Sequence, residues 1–213
     1  MLDLRSATCV ELQQSADYDR LVVPAKHTAA GGPKDMRPEQ LLAKDVVDVV
    51  YAQAMLAALW LWHDDLDASH TIVQQSPADL RRGTGKSSLT ILTAAPRGEG
   101  DDATRTDTLS LWHAIIHRRE GDFGNAKYWY ARCRHHPILA SLGEQARGTV
   151  AHAPADKALL RLSLGDWNGA AFVDLVQQVH ESPSDERYAV AVALQQLEWR
   201  VLFDFCTRSA AGQ

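Results

Sequence analysis

LWHAIIHRREGDFGNAKYWYARCRHHP, Leu111 to Pro137, is the stretch on which the fold turns. It holds four of the nine histidines, two of the six tryptophans, Lys127 and four arginines, against only Glu120 and Asp122. In a chain of formal net charge -5 it is a local positive island. A helix over Leu109–Glu120 sets His113, His117 and Glu120 at i, i+4 and i+7, within roughly 60° of one another around the axis. Gly121-Asp122 then supplies a stop and a cap, and a second short helix from about Asn125 repeats the spacing with Tyr128, Arg132 and His135.

Upstream, Pro38 suits the first turn of a helix. Leu42, Val46, Val49, Gln53, Leu56 and Trp60 follow with 3-4 spacing, and the same steps continue to His63, Asp67 and His70. One long helix, 38–70, is therefore expected to begin as apolar core and end as a polar trio. The alternative is a solvated helix end with Asp64 and Asp65 in water. Leu61-Trp62-His63 and Leu111-Trp112-His113 are the same tripeptide, which favours two helices presenting similar polar faces to each other. Before this helix, residues 1–37 are expected to form a short helix over Thr8–Leu21 and an irregular surface arm through Pro24, Gly31, Gly32 and Pro33.

Between the two histidine segments, Ser76–Ser110 is expected to be a long irregular insertion, with one β-prone run at Leu89–Thr93. Gly83-Thr84-Gly85-Lys86-Ser87 invites a phosphate-loop assignment, but Leu80 stands where that pattern needs glycine. Downstream, Ile138–Arg147 and Ala155–Leu164 are short helices. Asp166-Trp167-Asn168-Gly169 caps a helix to about Glu181, and Ser182-Pro183-Ser184 breaks it. Asp185–Arg208 is long, apolar on more than one side and expected at the centre of the core. Within it Glu198 sits among apolar residues, reaching the surface, pairing with an arginine or serving as a buried carboxylate near the site. No sheet signal stands out. The expected architecture is all-α: a single-domain helical bundle or array, with 1–37 as the arm, 38–213 as the helical domain and 76–110 as its insertion.

The length and the 46% hydrophobic content suffice for one well-buried domain. A sequence pI near 6.0 excludes a nucleic acid or an anionic membrane held by bulk charge. Cys9, Cys133 and Cys206 are odd in number and far apart, which suits reduced thiols. No basic leader or span of about 18 apolar residues is visible, so a soluble cytoplasmic protein is expected, with a homodimer left open.

Three chemistries fit these residues. In the first, His113 and His117, four apart on one helix, join His63 or His70 and one of Asp67 or Glu120 around a divalent metal ion. In the second, no metal is needed: His117 is a general base oriented by Glu120. Arg118, Arg119, Lys127 and Arg132 then hold a small anionic or sugar-like molecule, with His136, Tyr128, Trp129 and Trp112 around it. Either suits an enzyme, such as a hydrolase, isomerase or lyase, or a small-molecule binder. The third is an interaction scaffold that binds a protein or peptide through the basic groove. Gly121-Asp122-Phe123-x-x-Ala126 and Gly165-Asp166-Trp167-x-x-Ala170 share a pattern that resembles the turn of tetratricopeptide repeats. Their interval is 44 residues rather than 34, and no third copy is present.

Two further resemblances bear on this. One histidine plus a His-x-x-x-His pair is similar to the ligand set of DinB-like four-helix metalloproteins; here the interval is shorter and the chain longer. That resemblance implies a metal held by His113, His117 and a histidine of the 63–70 segment. The run H-R-x-E-x-D-x-x-N-A-K-Y-W, with LWHDDLDASH before it and LEWRVLFDFC near the end, resembles a family of uncharacterised all-helical proteins. It implies a helical fold and carries over no activity.

Overall fold

Short polar side chains at the helix starts fix most of the architecture. A computed structural model of the chain describes residues 5–16, 18–24, 31–83, 99–151, 153, 156–162 and 164–213. Among them, α1 is Ala7–Gln14, followed by a single 3-10 turn at Pro38–Gln40. Then come α2 (Val49–Trp62), α3 (Leu66–Val73), α4 (Pro77–Gly83), α5 (Glu99–Glu120) and α6 (Phe123–Arg132). The last four are α7 (Ile138–Val150), α8 (Lys157–Leu162), α9 (Gly169–Val179) and α10 (Glu186–Ala210). Asp48, Asp65, Asp122, Asn168 and Asp185 each accept a bond from a backbone N–H of the first turn of α2, α3, α6, α9 and α10. The fold is all-α: an isolated bridge between Arg5 and Leu42 is the β-type pairing seen among the described residues.

α2 is buried on nearly every side, from Val49 through Leu61, as expected of a helix without a polar face. It packs against α10, α3 and α5. α10 contributes Leu194, Leu197, Trp199, Leu202, Phe203 and Cys206 to the same core. Burying each such side chain is worth roughly 1.5–3 kcal/mol. Trp62 and Trp112, the middle residues of the repeated tripeptide, both pack on Trp199, with ring centroids 4.4 and 6.1 Å away. α5 and α6 form a hairpin through Gly121, whose φ of +82° suits glycine. The three cysteines are free and buried. No described helix is long and apolar enough to cross a membrane.

Several expectations need correction. The single helix expected over 38–70 is a 3-10 turn at Pro38–Gln40, a non-helical stretch over 41–48, and two helices, α2 from Val49 and α3, separated where Asp64 takes a φ of +62° and Asp65 caps a new start. The segment expected as a loop over 76–110 contains α4 and the first half of α5. Polar residues hide that helix in the sequence. In the fold Arg105 is buried and paired with Asp48 at 2.6 Å, while Thr106 and Thr108 return their hydroxyls to backbone carbonyls one turn back. The β-prone run Leu89–Thr93, and the glycine-lysine run from residue 84 on, lie outside the described residues. The N-terminal helix stops at Gln14 and not near Leu21, with Tyr18 and Leu21 buried beyond it; of the arm expected after Leu21, Val23 and Pro33 are buried while Pro24 and Gly31 are exposed.

Candidate functional site

The break at residues 63–65 decides which histidines meet. Turning the chain there brings α3 against α5, and His70 faces the pair one turn apart on α5. One ligand atom from each of His70, His113 and His117 lies within 4.8 Å of the other two. His70 Nε2 and His113 Nε2 share a hydrogen bond of 2.8 Å. The His113 and His117 rings stack at 4.8 Å, and the indole of Trp129 from α6 lies on His113 at 4.0 Å. His113 and His117 are buried and His70 is half-buried, so the cluster has a protected floor and one more open side.

The hydrogen bonds define the state of His117. Its Nδ1 donates to Glu120 Oε2 at 2.7 Å, and Asn125 Nδ2 donates to its Nε2 at 3.0 Å. The two bonds fix the ring's orientation, with Nε2 directed away from the carboxylate. The bond from His117 holds the Glu120 carboxyl below the usual glutamate range. His113 is pushed down to about 4, first by burial and then by the neighbouring charges of His70 and His117. It is therefore neutral at physiological pH, with a nitrogen able to bind a cation. Asn125 was not foreseen; its signal is the four-residue spacing to Trp129, which puts both on the face of α6 that meets α5.

The remaining predicted residues go elsewhere. His63 caps α2 and donates from Nε2 to Leu12 O at 3.0 Å, with Gly31 beside its other nitrogen. Asp67 is exposed on α3 and is not among the converging groups. Arg118 is fully buried: it donates to Glu198 Oε2 at 2.6 Å and Tyr130 Oη at 2.5 Å and lies over the Phe172 ring. Glu198 also accepts from Tyr130 and from Trp167 Nε1 at 2.8 Å, so it is a core counter-ion and not part of the histidine cluster. Arg119 binds Asp64 Oδ1 at 2.6 Å and Leu61 O at 2.8 Å. Trp112 is core, packed on Trp199. His136 is buried between Thr108 Oγ1 and the Ile138 N–H, and burial pushes it down to about 4. Lys127 pairs with Asp174 at 2.5 Å on the α9 side of α6. Tyr128 is exposed; Arg132, also exposed, lies over both the Tyr128 and Trp129 rings. His135 is exposed, past the end of α6.

Of the expected constellation, His70, His113, His117 and Glu120 come together. Tyr128 and Arg132 stand beside them through Trp129, while Arg118 and Arg119 are taken up in internal ion pairs. No family model, curated protein or solved structure matches the chain.

Proposed function

We propose that the chain is a divalent-metal-dependent enzyme, with His70, His113 and His117 as the ion's ligands, acting on a small anionic or polyhydroxylated substrate. One observation carries this: three imidazoles from two helices converge, and the carboxylate of Glu120 occupies the Nδ1 of one of them. A metal-binding histidine ordinarily donates its other nitrogen to such a carboxylate, which fixes the tautomer and strengthens the ligand. Bonds of about 2.0–2.1 Å to a common ion set ligand nitrogens about 3 Å apart. The separations found, from 2.8 Å for one pair up to 4.8 Å, straddle that spacing.

The donor set also selects the ion. Neutral imidazoles favour zinc and its borderline neighbours over magnesium or calcium, which prefer oxygen. Bound there, such an ion would supply Lewis-acid activation of water or of a substrate oxygen. Glu120 would keep His117 oriented, Asn125 would release His117 Nε2 and offer its amide to the substrate, and Trp129 would shield His113 from water. Arg132, exposed above Trp129, would hold an anionic group of the substrate.

A second reading is favoured by the Glu120–His117–Asn125 chain itself, in which His117 is a metal-free general base. Elemental analysis of the purified protein separates the two. A metal-dependent enzyme carries about one equivalent of zinc, manganese, iron or nickel. That metal is lost in the His113→Ala/His117→Ala variant, and a chelator lowers the melting temperature of the parent only. Metal-free protein that is stabilised by phosphate supports the general base instead.

A further inference from the structure

The N-terminal arm has an unusual backbone account. After α1 the described residues up to Val23 form no helix or strand, and main-chain carbonyls from the last turn of α1 onward need donors. They find side chains of the helical body. Trp62 Nε1 donates to Ala16 O at 3.0 Å, His63 Nε2 to Leu12 O at 3.0 Å and Gln196 Nε2 to Tyr18 O at 3.1 Å. Arg20 O receives two donors, Gln195 Nε2 at 2.8 Å and Arg119 Nη2 at 3.1 Å. The end of the arm is fastened by Val23 N donating to Arg119 O at 2.7 Å. Five donor side chains from α2 and its C-cap, α5 and α10 thus read main-chain carbonyls at four arm positions.

One side chain supplies the anchor. The Tyr18 ring stacks on Trp62 at 4.7 Å and 8°, with the Arg119 guanidinium 4.3 Å from its centroid and Trp199 at 6.3 Å. Its hydroxyl is buried without a hydrogen-bond partner, so the ring does the anchoring. Leu21, three residues on, is also fully buried. Main-chain hydrogen bonds for affinity and a pocketed side chain for register are how protein surfaces hold extended peptides.

We propose that the ends of α2 and α5 with the middle of α10 form a peptide-recognition groove, and that its resident occupant is this chain's own residues 12–16 and 18–23. The partner class it fits is a segment that leaves the last turn of a short helix and carries an aromatic anchor with an aliphatic residue three positions later. This groove is separate from the histidine cluster and does not depend on any metal there.

A full-length protein with a protease recognition sequence introduced within residues 25–30, then cut, tests this. The cut protein is expected to keep its fragment and to exchange it for a fluorescein-labelled peptide of residues 5–24, saturably and at micromolar concentration. A Tyr18→Ala peptide should bind about 100-fold more weakly, a Tyr18→Phe peptide as tightly as the parent or more so, and Gln195→Ala in the body should weaken the parent peptide about tenfold. Loss of helical circular dichroism when the fragment leaves would overturn the proposal. So would equal binding of the parent and Tyr18→Ala peptides.

Discussion

Arg118 and Arg119 are adjacent in sequence and fully buried, and they point into different parts of the core. Arg118 is neutralised by Glu198, which also takes hydrogen bonds from Tyr130 and Trp167. Removing one partner of a buried ion pair leaves the other charge uncompensated. Glu198→Gln should therefore cost about 3 kcal/mol in urea denaturation; a cost below about 1 kcal/mol would mean that Arg118 is compensated elsewhere. The arginine partner of Glu198 was legible as one of three options, beside exposure at the surface and a place in the site, whereas a buried Arg118 was not. Nothing in the run Arg118-Arg119 marks arginines that face carboxylates 80 and 55 residues away.

His136 makes the pH dependence testable at one residue. Its Nδ1 accepts from the Ile138 N–H, so protonation would set two N–H groups against each other. The ring titrates near 4 in the fold and near 6.5 when unfolded. Between these values the unfolded chain binds the extra proton, so stability is complete above about pH 6.5 and falls as the pH drops toward 4. His113 acts in the same direction. Melting temperatures should be flat from pH 7 to 8 and decline through that window, with a shallower decline in His136→Gln.

At the scale of elements, helix caps were readable and helix continuity was not. Asp122, read as a cap from Gly121-Asp122, accepts from Asn125 N at 3.1 Å. Asp122→Ala should cost about 1 kcal/mol, seen as faster amide exchange in the first turn of α6, where Asn125 meets His117. The 3-4 stripe from Leu42 to His70 hid both the start of α2 at Val49 and the break at Asp64, because apolar residues continue at the same spacing on either side of each. Long-range packing also sets glycine positions that spacing does not reveal. A Cβ on Gly143 of α7 would stand 2.5 Å from Gly165 O and 2.8 Å from Trp167 N, the turn that delivers Trp167 to Glu198. Gly143→Ala should push that turn away, lowering stability by about 1–3 kcal/mol and changing the fluorescence of Trp167.

For the whole molecule, the all-α architecture followed from the helical periodicity and the missing strand signal. The meeting of the 63–70 and 113–117 segments was expected on a shared-face argument. It is realised by His70 alone, because His63 turns to the N-terminal arm. Which histidine would join the pair was beyond the sequence, since it depends on the angle at which α3 leaves α2. The acceptors Leu12, Ala16, Tyr18 and Arg20 fell in a stretch expected to be helical, and nothing in it hints at donors waiting on three helices.

The central claim is that His70, His113 and His117 bind one ion together. X-ray absorption at the zinc edge, on protein loaded with one equivalent of zinc, addresses it directly. Three imidazole nitrogens at about 2.0–2.1 Å, reduced to two in His70→Ala, is the predicted result. A shell of oxygen ligands, or a spectrum unchanged by His70→Ala, would contradict it.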